Sequence, residues 1–105
     1  MLLRIVPTGI PGTVRIVGEL DISNVEKAQA RLEQELLNGQ HLTLDTSELA
    51  FVDSQGLRML IVLGRQAAAQ GSVISLLNCP NQLKRVLDVA VPQGIPGVEV
   101  RTGDK

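Results

Sequence analysis

Aromatic side chains are almost missing from this sequence: it has one phenylalanine, Phe51, and no tryptophan or tyrosine. A core built from it must be aliphatic, and a platform for stacking nucleic-acid bases is excluded. An excess of one charge is missing too. Ten Lys and Arg face eleven Asp and Glu, for a formal net charge of -1. The two signs are interspersed, which argues against nucleic acid or an anionic membrane as a partner. Cysteine occurs once, at Cys79, so no intramolecular disulfide can form and a reducing compartment is expected. Histidine also occurs once, at His41. One Cys and one His far apart offer no metal-ligand spacing, and neither G-x-x-x-x-G-K-[ST] nor G-x-G-x-x-G is present. No metal and no cofactor is therefore expected. Long apolar runs are absent as well. The longest internal one, residues 59–63, lies between Arg58 and Arg65 and is too short for a bilayer. The opening MLLRIV is too short for a signal peptide and is interrupted by arginine. The expectation is a cytoplasmic protein, monomeric when free.

What is present is enough for a modest core. The chain has 105 residues, 44% of them apolar, which fits one domain over residues 1–105. Leu3 and Ile5, with Leu2 and Val6 beside them, predict a first strand. Pro7, Gly9, Pro11 and Gly12 form a turn cluster. Val14, Ile16 and Val17 predict a second strand that stops at Gly18, so the two pair as a hairpin with a loop longer than the tightest kind. Ser23 and Glu26 have capping-box spacing and predict a helix start. Val25, Ala28, Leu32 and Leu36 give that helix its apolar face, and Asn38-Gly39 its stop.

Leu42 and Leu44 alternate with polar residues, predicting a third strand followed by a loop at residues 45–48. A second helix is predicted over about residues 54–70, ended by Gly71. It is apolar over a wide arc and therefore largely buried. Residues 73–77 read as a buried strand. Pro80 opens a third helix with Leu83, Val86, Leu87 and Ala90 on its face. Residues 92–97 break the pattern, Val98 and Val100 mark a last strand, and residues 101–105 form a polar tail. This order predicts an α/β domain: a mixed, mostly parallel sheet of about five strands with three main helices and an N-terminal β-hairpin.

The stretch AFVDSQGLRML, residues 50–60, carries the candidate chemistry. Ser54 stands where a strand turns into the second helix. A hydrolase would need G-x-S-x-G, but residue 52 is Val, and the only base, His41, starts the preceding strand. Two compatible readings remain. Ser54 or Asp53 caps the helix through a side-chain oxygen. Alternatively, Ser54 is a phosphoacceptor, since free N–H groups and the dipole at a helix mouth accept a dianion. Gly56 would then leave room for the backbone of a partner.

The run LTLDTSELAFVDSQGLRMLIVLGRQ, residues 42–66, resembles the STAS domain family, and within it the bacterial anti-sigma factor antagonists. GELD at residues 18–21 is similar to the family's signature at the end of the second strand, and LKRVLDV at residues 83–89 to its third helix. The resemblance implies a partner-switching protein that is a substrate and not an enzyme. The unphosphorylated form would bind an anti-sigma factor that is also a serine kinase with a histidine-kinase-like ATPase fold, releasing a sigma factor. Phosphorylation would break the complex, and a PP2C-type phosphatase would restore it. By the same resemblance Ser54 is the acceptor, Asp21 lies beside it, and Asp53 caps or orients. The partner surface would include Asp21, Ser23, Asp53, Ser54, Gln55, Gly56 and Arg58. Gln55 departs from the pattern, since many relatives carry a small residue there. Some relatives work as phosphorylation-independent interaction modules in transport or stress-signalling complexes.

Overall fold

Alternating aliphatic residues bring the strands together in sequence order. The computed structural model describes residues 3–37 and 40–101. Its elements are β1 (Leu3–Pro7), β2 (Thr13–Leu20), α1 (Val25–Leu36), β3 (Leu42–Val52), α2 (Ser54–Ala69), β4 (Ile74–Leu77), α3 (Asn81–Ala90) and β5 (Val98–Arg101). The sheet order is β1-β2-β3-β4-β5. β1 and β2 pair antiparallel, and every other neighbouring pair is parallel. This is the α/β sheet with an N-terminal hairpin that the sequence predicts. The helix stop at Asn38-Gly39, the contribution of Leu2 and the tail beyond Arg101 lie outside the described residues.

Register sorts the two faces. Val14 pairs with Leu44, Leu42 with Ile74 and Leu44 with Leu76, and all five are buried. They meet Ala28, Leu32 and Leu36 of α1 and Met59, Leu60, Leu63 and Ala67 of α2 in one aliphatic core. The two helices are tied to each other where Gln66 Nε2 donates to Glu33 Oε2 at 2.8 Å. The alternate strand positions carry Arg15 opposite Asp45 and Thr43 opposite Ser75.

Three expectations about where strands and helices begin or end fail, each for a physical reason. First, β3 does not end at a loop over residues 45–48 but runs unbroken to Val52. From Arg15 to Val17 β2 advances two residues while β3 advances three, from Asp45 to Glu48; a second shift lies between Gly18 and Glu19. These bulges break the period-two alternation, so the strand is invisible to pattern. Second, Gly18 does not stop β2: it has φ +111° at the second bulge, a backbone position open to glycine. Third, Ser23 does not cap α1. Its N–H and hydroxyl both donate to Asp21 Oδ1, and the cap position falls to Asn24, whose side chain makes no cap bond. The short polar side chain of Asp21 captures Ser23 locally before a capping box can form. Asn24 instead closes the turn, accepting from Asp21 N at 3.0 Å and donating to Glu19 O at 2.8 Å.

The 92–97 connection lies directly on α2. A Cβ at Gly97, where φ is +80°, would meet Gly64 O at 1.9 Å, and one at Gly64 would meet Pro96 O at 2.5 Å. Two glycines thus let backbone touch backbone. Gly64→Ala should destabilise the fold by about 1–3 kcal/mol through overpacking against main chain that cannot yield. A lowered urea midpoint with an unchanged slope would show it.

Asp45 is buried on the strand face opposite the α1–α2 core. Burial pushes its carboxyl up, but the Ser47 N–H, the Arg15 guanidinium and Asn78 Nδ2 hold it, for a net shift below the ordinary aspartate value. A carboxyl depressed in the folded state adds stability above its unfolded pKa, and that stability fades as pH falls through the folded value. Asp45→Asn should therefore flatten the acid limb of a stability–pH curve, read by thermal melts from pH 6 downward.

Candidate functional site

The site is built where β2 and β3 end side by side. Leu20 pairs with Val52, and Leu20 O accepts the Asp53 N–H at 3.1 Å. Asp53 then caps α2. Its Oδ1 accepts from the N–H groups of Gln55 and Gly56, both at 2.9 Å. Its Oδ2 accepts the N–H of Ile22 at 3.1 Å, from the loop between β2 and α1. One carboxylate therefore fixes a helix mouth and a neighbouring loop together. Of the two cap candidates, Asp53 has the role and Ser54 is the first helical residue.

Ser54 is exposed, and among the described residues its hydroxyl takes no part in the cap. Arg58 follows one turn later, on the same helix face and also exposed. Gln55 is half-buried. The Asp21 carboxyl lies below its usual range, held first by the Ser23 hydroxyl and then by the Ser23 N–H. Ser23 is exposed, and so is Ile22 between them, at 74%. Ile22 escaped the sequence reading. The available signal was an aliphatic residue off the Val25–Ala28–Leu32 face, set between two polar turn residues.

Gly56 differs from expectation. It is buried, and a Cβ there would meet Val52 Cγ1 at 2.8 Å and Leu20 Cγ and O at 3.0 Å. The room it leaves is filled by this protein's own β2 and β3, so that α2 can start close against the sheet.

His41 precedes β3, at the far end of an 11-residue strand from Ser54. At about 3.3 Å per residue that is roughly 35 Å, which rules out a Ser54–His41 pair. His41 Nδ1 instead accepts the N–H of Val73 at 3.0 Å. Burial pushes the Cys79 thiol up, away from the reactive thiolate. Among the described residues no three His, Cys, Asp or Glu side chains gather as metal ligands, and no helix is long and apolar enough to cross a membrane.

Fold and site together define a small α/β domain that presents a serine at a capped helix mouth, with no histidine in reach to activate it. The chain belongs to the STAS family: the family model described as Mlab, STAS domain matches residues 4–92. A STAS-domain containing protein of Pseudomonas aeruginosa (strain UCBPP-PA14) is 24% identical over 78 residues, 74% of this chain and 77% of that one. Among solved structures, a putative anti-sigma factor antagonist from Thermotoga maritima superposes with a TM-score of 0.74 at 19% identity, over 97% of this chain and 86% of its own. The anti-sigma factor antagonist SpoIIAA in its unphosphorylated form gives 0.70 at 20% identity, over 99% and 90%. The phosphorylated form of SpoIIAA, a Bacillus cell fate determinant, gives 0.67 at 23%, over 96% and 92%. At these identities the structural likeness establishes the fold alone.

Asp53→Ala should cost about 1–2 kcal/mol through loss of the cap. It should also free the Ile22 amide, so hydrogen exchange should rise at residues 22, 55 and 56 together. Asp53→Asn, which keeps one acceptor oxygen, should protect either the helix mouth or Ile22, but not both.

Proposed function

We propose that this chain is a cytoplasmic anti-sigma factor antagonist that switches partners through the state of Ser54. Unmodified, it binds an anti-sigma factor that is also a serine kinase with a histidine-kinase-like ATPase fold, and a sigma factor is released. Phosphorylation of Ser54 ends that binding, and a PP2C-type phosphatase restores it. The observation that carries this reading is the division of labour at the helix mouth. Asp53 makes the cap bonds, which leaves the exposed Ser54 hydroxyl open to modification without loss of the helix start. The likeness to SpoIIAA, known in phosphorylated and unphosphorylated forms, supports it.

The geometry refines the mechanism. A phosphate brings about -1.5 to -2 charges at neutral pH. Two of the first helical N–H groups, those of Gln55 and Gly56, are already taken by Asp53. The dianion is therefore not swallowed by the helix mouth. It stands beside the Asp53 carboxylate, near the exposed Ile22 loop, where it repels a partner that would otherwise pack there. Ile22, Ser23, Gln55 and Arg58 supply the docking contacts; Asp21 and Asp53 hold their loop in place, and Gly56 acts from below the surface.

The same occupancy of the N–H groups favours a second reading, a phosphorylation-independent STAS interaction module in a transport or stress-signalling complex. One experiment separates them. With the cognate kinase and ATP, mass spectrometry should find phosphate on Ser54 and none on Ser54→Ala, which should still bind. Ser54→Asp should weaken binding about 5–150-fold, the range of a coupling of roughly 1–3 kcal/mol. No phosphate on Ser54, with Ser54→Asp binding as the wild type does, would leave the second reading standing.

A further inference from the structure

β3 outruns its neighbour. Its pairing with β4 spans Leu42↔Ile74 to Asp45↔Leu77 and stops, while β3 continues to Val52 against β2 alone. The chain leaves β4 through Asn78, at φ 57°, and enters α3 after Pro80. A groove of about 420 Å³ is left between residues 49–52 and the N-terminal half of α3. Leu49 and Leu83 are buried at its base, while Phe51 and Val86 border it with 52% and 41% of their surface exposed. Phe51 is the only aromatic residue of the chain, and the largest apolar side chain would ordinarily be covered.

Two features of the groove specify what fits it. A strand points its N–H and C=O groups alternately to its two sides, and past Asp45 only the β2 side of β3 is paired among the described residues. The other side is an edge that can accept a strand. Among the described residues Arg85 is the one charged residue lining the groove, and it makes no ion pair with any of them.

We infer that this groove docks an extended, apolar peptide segment of a partner protein, added along β3 as a strand, with a carboxylate side chain facing Arg85. Strand addition gives affinity through main-chain bonds and specificity through alternate side chains. The unpaired edge sets the conformation of the segment, and Arg85 sets the sign of its charge. Ser54, at the start of α2, does not line the groove, whose nearest lining residue in sequence is Val52, and the inference holds whether or not Ser54 is a switch.

The test is a titration of the full chain, followed by its 1H–15N spectrum, with the blocked peptide Ac-Thr-Val-Glu-Val-Thr-NH2. Saturable shifts are expected at the amides of Ala50 and Val52 and across residues 82–86. Arg85→Gln should weaken binding about fivefold, the scale of an exposed ion pair. The Gln-for-Glu peptide should bind equally weakly to both proteins. Val86→Glu, at an exposed position, should abolish binding without unfolding the domain. Methylating the valine nitrogens of the peptide should abolish it too. Ser54→Asp should leave it unchanged, which distinguishes this groove from the switch surface. No shifts in the groove, or binding indifferent to Arg85→Gln, would overturn the inference. So would decanoate binding the same residues as tightly as the peptide, since a simple amphiphile needs no strand edge.

Discussion

The Asp53 carboxylate is the constraint on which the candidate site of this domain depends. It receives three N–H bonds from two segments far apart in sequence, at Ile22 and at Gln55 and Gly56. Its own N–H goes to Leu20 O at the end of β2. A helix mouth with free donors would be a soft and hydrated place. Here two of those donors meet one internal anion, and the β2–α1 loop is drawn to the same point. Charge–dipole attraction and hydrogen bonding act in the same direction, which is why a single short side chain can set the geometry of the whole corner.

That corner is held close by glycine from beneath. Gly56 rests against Leu20 and Val52, and Gly64 meets the backbone of the loop before β5. Both glycines lie within α2, where alanine would be the better helix former. Their cost in propensity is offset by close approach: one end of α2 settles onto the β2–β3 ends, and its middle onto residues 95–97. Helix α2 is thus held close at its start by Leu20 and Val52 and at its middle by the backbone of residues 96 and 97, while its opening residue, Ser54, remains at the surface.

Parts of this arrangement were legible in the sequence. Repeats such as Val25–Ala28–Leu32–Leu36 and Leu42–Leu44 announce a helix and a strand because burial imposes their periods on composition. DSQG before an apolar helix announces a cap and a candidate hydroxyl. The rest was not legible, for physical reasons that can be named. Two bulges scramble the alternation in β3, so residues 45–48 look like a loop. Ser23 and Glu26 have the spacing of a capping box, yet Asp21 competes for Ser23 and wins because it is nearer. The Ile22 N–H carries no sequence signal for its bond to Asp53, since a backbone donor is the same in every residue but proline.

The sequence by itself determined the aliphatic core, the order of strands and helices, and the presence of a hydroxyl beside an acid at a helix start. These are local matters of period, propensity and capping. The tertiary structure alone decided which of Asp53 and Ser54 caps α2, that Gly56 faces inward, and that β3 outlasts β4 and leaves an open edge beside Phe51 and Arg85. Each of those depends on register between segments tens of residues apart. Register is a property of paired backbones, and no residue carries it alone.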